Sequence, residues 1–275
     1  MNILIVGGSG FLGRELAQQA ATTGYAVTAT FATTAGDIPG VHWLSLDLCR
    51  SEEITSALGQ AQPDVVINAA SRKADWATTA DGAIRLAMAA TRHGARLVHV
   101  SSDAVFSGTV IRYHESATPD PITPYGAAKA AAETAIRLIA PAAVIARTSL
   151  IIGGGGSEHE ALIHDLATRR RNGVLFTDDI RCPVHVTDLA QALLELTISD
   201  HTGVCHLAGS DAISRHELGV LIADRDGLDC TQLTAGRRAD TGPPGALDVR
   251  LDSTRTQRTL HTTLRGAREF LRREQ

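Results

Sequence analysis

Residues 2–13 read NILIVGGSGFLG. The apolar run Ile3 to Val6 enters Gly7, Gly10 and Gly13, spaced three apart, and a helical stretch from Phe11 to Thr23 follows. Glycines permit a tight strand-to-helix turn and let backbone N–H groups approach a pyrophosphate at the helix N-terminus. The spacing is one residue longer than G-x-G-x-x-G, and glycine turns of this kind are common. Its place is more informative, because it joins the first strand to the first helix of a βαβ series. That place points to a bound dinucleotide, with Gly7, Gly10, Phe11, Leu12 and Gly13 around it.

The series continues along the chain. Strand-like runs at 25–31, 41–48, 64–70, 96–102 and 143–152 alternate with helical stretches, one of them alanine-rich and reaching residue 93. Near-continuous apolar strands separated by helices predict a doubly wound parallel α/β sheet, a Rossmann fold, with helices on both faces. After Ile152 the texture changes. GGGGSEHE (153–160) reads as a flexible loop, followed by a helix to about Arg171. CPVHVTDLAQALLEL (182–196) reads as an extended segment entering a helix, where Asp188 and Gln191 fit a capping box. Ser214 and Glu217 fit another helix start. Residues 241–253 read as a proline-broken linker before a basic C-terminal helix. The expected division is a dinucleotide-binding domain over 1–150, with 184–207 returning to it. Residues 151–183 and 208–275 then form a smaller substrate lobe, with 153–181 selecting the substrate.

The bulk numbers exclude several classes. With 275 residues, 44% hydrophobic and 20% charged, the chain reads as an ordinary soluble protein. A net charge of −4 argues against non-specific nucleic-acid binding. No signal segment and no membrane-spanning run are expected. Cys49, Cys182, Cys205 and Cys230 follow no metal-ligand spacing, so reduced thiols in a cytoplasmic protein are expected. His159 and His164 are five apart, roughly 140° around a helix, which argues against a zinc motif. The arginines at 169–171 read as a solvated helix end.

Which dinucleotide binds can be read after the second strand. A carboxylate about 20 residues past the glycines would hold the ribose of NAD. The strand ends TATFATTAG, with no acid until Asp37. This favours NADP(H), with NAD(H) as the alternative. Arg14 and the hydroxyls of Thr30, Thr33 and Thr34 could meet a 2′-phosphate, although Arg14 reads equally well as a solvated helix residue. Asp47, beside Leu48, could accept a bond from the adenine amine or cap the following turn.

The chemistry centres on TPYGAAKAAAE (123–133). Tyr125 and Lys129 lie four apart and share a helix face. A nearby cation favours phenolate and so suits proton donation to a carbonyl oxygen that receives a hydride. VHVSSDAVFSG places Ser101 and Ser102 at the C-terminal edge of a strand, where open α/β sheets bind ligands. Tyr-x-x-x-Lys alone is weak, and a surface pair would explain it. The ordered set of glycine loop, serine pair and Tyr-x-x-x-Lys is more specific.

These motifs, with NAA (68–70), RTSLIIG, RCPVHVTDLAQALLEL and HLAG in order over nearly the whole chain, resemble the extended short-chain dehydrogenases/reductases, and among them the dTDP-4-dehydrorhamnose reductase group. The resemblance implies a nicotinamide cofactor, Tyr125 as general acid, Lys129 anchoring the nicotinamide ribose and lowering the tyrosine pKa, and Ser102 in the family's Ser/Thr position. It places Asn68, Ala69 and Ala70 along the cofactor. Expected substrate contacts are Ser71, Trp76, Asp103, Val105 and Arg181. Arg181 also reads as an ion-pair partner of Asp178 or Asp179, and Trp43 and Trp76 also read as packing residues. The family's asparagine three before a helix glycine is absent here; Thr79 stands three before Gly82. The implied reaction is reduction of a nucleotide-linked 4-keto-6-deoxy sugar. A reductase of another ketone and a non-catalytic NADP-binding regulator are the rival readings. An alanine-rich helix is compatible with a homodimer.

Overall fold

The computed structural model describes residues 1–242 and 244–273. Seven strands build the central sheet: β1 (Asn2–Val6), β2 (Ala26–Phe31), β3 (Val41–Ser45), β4 (Val65–Asn68), β5 (Arg96–Ser102), β6 (Val144–Thr148) and β7 (Gly203–Leu207). Their order is β7-β6-β5-β4-β1-β2-β3, and every pairing is parallel. The sheet reverses direction of winding between β1 and β4, which opens a crevice at the C-terminal ends of those strands.

Alternation of side chains along a strand explains the two layers. Ile3 and Ile5 of β1 pack in one apolar cluster with α1 (Phe11–Thr22) and α6 (Val186–Thr197). Leu4 and Val6 pack in the other, with α2 (Ser51–Ala61), α3 (Ala83–His93) and α4 (Pro124–Ile139). A third cluster joins Leu150, Ile152, α5 (Glu158–Ala167) and α7 (Arg215–Arg225) to Leu271. Among the described residues, no helix is long and apolar enough to cross a membrane.

Several local readings need correction. α6 is capped by His185, whose ring accepts from the Thr187 N–H at 3.3 Å, and not by Asp188. The Asp188 carboxylate instead binds the Arg265 guanidinium at 2.7 Å. Helix α5 stops at Ala167, short of Arg171, because Arg169 takes a φ of 57°. The glycine run is not loose. Glu160, fully buried, accepts from the N–H groups of Gly153, Gly155 and Ser157 at 3.2, 2.9 and 3.1 Å. Ser157 completes this as a capping box. The C-terminal helix is one turn, Ala267–Phe270. Pro243 of the linker and the last two residues, Glu274 and Gln275, lie outside the described residues.

One buried ion pair ties α4 to the sheet. Arg147 of β6 and Glu133 of α4 are 1% and 2% exposed, and the guanidinium meets the carboxylate at 2.7 Å. Removing one member of such a pair leaves an uncompensated buried charge. Arg147→Met is therefore expected to lose about 3–5 kcal/mol in urea denaturation, and adding Glu133→Leu to recover much of it. A single variant as stable as the wild type would show that the pair is not desolvated.

Candidate active site

The glycine turn leaves β1 with Gly7 at φ 83°, and Gly13 packs so closely that a Cβ there would sit 2.1 Å from the Gly7 carbonyl oxygen. The Thr30 hydroxyl accepts from the Gly7 N–H at 3.1 Å. Thr30 is buried, so it braces the turn from behind and does not face a 2′-phosphate. Helix α1 begins at Phe11 with Gly10 as its N-cap, no side-chain cap and no acid in its first turn. Its first N–H groups are thus left for an anion. This cradle fits the pyrophosphate of a dinucleotide. At its rim Arg14 is exposed, with Nε donating to the Ser9 carbonyl at 3.2 Å. Residues 32–35 after β2 are exposed and uncharged. Asp47 caps its own turn, accepting from the Cys49 N–H at 2.9 Å, and Leu48 is buried beneath it.

At the end of β4, Asn68 is buried and holds the chain's next bend. Its Oδ1 accepts from the Ala70 N–H at 3.2 Å, and its Nδ2 lies 3.2 Å from His99 Nδ1. Ala69 lines the cleft, and Ala70 packs against Gly7. The following loop is tied by Thr79, whose hydroxyl accepts from the Arg72 N–H at 3.0 Å and donates to the Arg72 carbonyl at 2.8 Å. Residues Ala77–Gly82 form a π-helical turn ahead of α3, a local widening that often marks functional sites.

Helix α4 delivers the Tyr-Lys pair. Thr123 is its N-cap, accepting from the Gly126 N–H at 3.1 Å, and Pro124 occupies the first turn. Tyr125 therefore stands at the helix mouth and Lys129 one turn deeper. The Lys129 ammonium donates to the Val100 carbonyl at 2.9 Å and is 3% exposed. Burial lowers its pKa to about 8, against the opposing pull of Glu133. Ser102 ends β5; its Oγ accepts from the Ala104 N–H at 3.1 Å. Neighbouring Ser101 is turned away, donating to Glu133 at 2.5 Å.

Tyr125 departs from expectation. Burial pushes its hydroxyl above the ordinary tyrosine range; Asp103 and Glu158 push the same way, and bonding to Ser71 and Ser102 opposes. The Lys129 ammonium donates to the Val100 carbonyl, and burial of the phenol outweighs what lowers it.

A cleft of about 690 Å³ joins these groups. Phe11, Ser71, Ser102, Tyr125 and Lys129 form one side; Glu158, His159, Arg181, Arg215 and Arg238 come from the lobe. Asp103 lines it too, accepting from the Ser149 hydroxyl at 2.7 Å. Arg181 reaches it within an ion-pair cage, 2.9 Å from Asp179 and 3.6 Å from Asp103. Two expected contacts fall elsewhere. Val105 is fully buried beside Phe106 and Tyr113 in a core cluster. Trp76 is 50% exposed, its indole N–H donating to Asp81 at 3.1 Å, so it neither packs in a core nor lines the cleft. Trp43 packs against the α1 cluster. Sequence reading missed Glu133, Glu158 and His159. Glu133 was legible as the next member of the Tyr125–Lys129 helix stripe; the other two carried no signal.

Comparison with known proteins gives the family. The family model described as RmlD substrate binding domain matches residues 1–273. The chain is 31% identical to the spore coat polysaccharide biosynthesis protein SpsK of Bacillus subtilis (strain 168), over 84% of this chain and 82% of that protein. It is also 31% identical to the dTDP-4-dehydrorhamnose reductase of Mycobacterium tuberculosis (strain CDC 1551 / Oshkosh), over 82% of this chain and 76% of that enzyme. Its fold matches the crystal structure of dTDP-4-dehydrorhamnose reductase from Bacillus anthracis str. Ames in complex with NADP, at TM-score 0.85 and 21% identity, covering 98% and 96% of the two chains. With the glycine cradle, the parallel sheet and the cleft in place, the chain belongs to the RmlD substrate binding domain family, and so to the NAD(P)-dependent oxidoreductases of the extended short-chain dehydrogenase/reductase class.

Proposed function

We propose that this protein reduces the keto group of a nucleotide-linked 4-keto-6-deoxy sugar with NADPH, NADH being the weaker alternative, and that Tyr125 donates the proton. The observation that carries the reading is the convergence of Ser102, Tyr125 and Lys129 on one cleft beside the glycine cradle. The names of the relatives supply the substrate class. The lobe wall of the cleft supports it, because Arg181, Arg215 and Arg238 line it around Asp179 and Asp103. Guanidiniums lining a cleft are suited to bidentate binding of a diphosphate. The reading treats 1–150 with 184–207 as the cofactor domain and 151–183 with 208–275 as the substrate lobe.

Gly7, Gly10 and Gly13 with the start of α1 would hold the pyrophosphate, and the cofactor would supply the hydride to the carbonyl carbon. Tyr125 hydrogen-bonds the carbonyl oxygen and gives it the phenolic proton as negative charge develops there. A hydroxyl raised by burial stays protonated through neutral pH, so the acid is loaded before each turnover. Ser102 donates to the same oxygen. Lys129, cationic below about pH 8, stabilises the phenolate left behind and anchors the ribose that would lie between them.

Two experiments test this. With purified protein, NADPH absorbance should fall on adding dTDP-4-dehydrorhamnose, and Tyr125→Phe should slow it at least about a hundredfold while NADPH still binds. A Tyr125→Phe variant of undiminished rate would remove the tyrosine from the mechanism, and faster turnover with NADH would reverse the cofactor preference. The second concerns Lys129. Its folded pKa of about 8 lies below the ordinary lysine value of 10.5. Below pH 8 the ammonium is charged in both states and its full burial penalty acts on the fold. Between pH 8 and 10.5 the unfolded chain binds more protons, so stability rises with pH. Lys129→Met lacks this term. Urea denaturation at pH 7 and pH 10 should show wild-type stability gaining on the variant as pH rises. A constant difference would mean that Lys129 is solvated.

A further inference from the structure

Three polar side chains at the cleft mouth have no part in the reaction described above. Lys73 comes from the loop after β4, and Glu158 and His159 open α5. The Lys73 ammonium meets Glu158 Oε1 across the cleft, both side chains being about two-thirds exposed at 64% and 63%. Arg215 Nη1 lies 3.4 Å from His159 Nδ1. A guanidinium only donates, so Nδ1 accepts and the ring proton of a neutral His159 sits on Nε2. Burial, then Arg215, lowers the His159 pKa to about 4, so the ring is neutral at working pH. Nε2 is 4.0 Å from Glu158 Oε1, too far for a hydrogen bond. A fixed donor thus stands beside a carboxylate acceptor that is held by one exposed lysine. An exposed ion pair of this kind contributes little to stability and is readily given up to a ligand. The pair also lines the same cleft as Ser102 and Tyr125.

Resting on the reading above, we propose that Glu158 and His159 are specificity-determining residues that recognise a hydroxyl on the carbon next to the carbonyl. His159 Nε2–H donates to the hydroxyl oxygen, and Glu158 accepts the hydroxyl proton. A hydroxyl answers both groups; a methylene answers neither and gives nothing in return for displacing Lys73 from Glu158. Lys73 keeps Glu158 in place until substrate arrives. The pair stands on the segment after the glycine run, which Glu160 ties down through three backbone N–H groups, so it is held on a fixed element.

The test uses full-length protein, NADPH, dTDP-4-dehydrorhamnose and its 3-deoxy analogue, which lacks the hydroxyl beside the carbonyl. The wild type should prefer the hydroxylated substrate by at least about tenfold in kcat/KM. Glu158→Gln and His159→Phe should each lose most of that preference, through slower turnover of the hydroxylated substrate alone. NADPH binding, followed by its fluorescence, should be unchanged in both. A preference kept intact in both variants, or equal losses on the two substrates, would overturn the inference alone. No turnover of either substrate by the wild type would overturn it together with the proposed function.

Discussion

Helix α4 is docked onto the sheet by charge as well as by apolar packing, and the geometry of the site depends on that docking. Lys129 and Glu133 stand one turn apart on its buried face. The first donates to the Val100 carbonyl; the second accepts from Ser101 and pairs with Arg147. Ammonium and carboxylate are costly to bury, so each tolerates only the position in which its partners are met. Two such constraints, four residues apart, fix both the rotation and the axial position of α4. Tyr125, one turn above Lys129, is then placed against Ser102, because Ser102 directly follows the serine that Glu133 holds. Leucines at 129 and 133 could dock the helix as strongly, but they would specify its register less sharply.

The opposite wall is built on different physics. Its elements are short, and its own apolar cluster is smaller than those under the sheet. Its order comes from carboxylates that gather backbone and guanidinium donors. Glu160 collects three N–H groups and Arg225; Asp179 collects Arg181, Arg215 and Arg238. Polar cages of this kind leave the facing surface free to carry functional groups. They also explain how a run of four glycines can border a defined cleft.

The sheet was legible because parallel strands buried on both faces must be apolar throughout, and the glycine turn marked where they begin. Tyr125, Lys129 and Ser102 were legible because a helix face and a strand end bring them together from local periodicity alone. The placement of Thr30 was not, since period-2 alternation cannot say whether a hydroxyl at a strand end turns outward or back to brace a turn. Val105 and Trp76 failed for a related reason. A short 3₁₀ turn at 103–105 and a π-turn at 77–82 break the periodicity from which side-chain direction is read. The raised pKa of Tyr125 was equally hidden, because the burial that causes it cannot be read from sequence spacing.

Burial gives Tyr125 and Lys129 opposite biases, and this bears on catalysis. It holds the phenol protonated and makes the ammonium easier to discharge. In the free protein the two groups are therefore not a pre-formed phenolate–ammonium pair. In the mechanism we propose, proton transfer to the substrate oxygen creates the phenolate, and only then does the nearby cation gain from its position. Stabilisation that grows as the transition state is approached accelerates a reaction, whereas stabilisation already present in the resting state does not. The buried α4 stripe thus stores no ion pair at Tyr125 that turnover would have to break. Its ion pair lies two turns deeper, at Glu133 and Arg147, where no reacting atom comes.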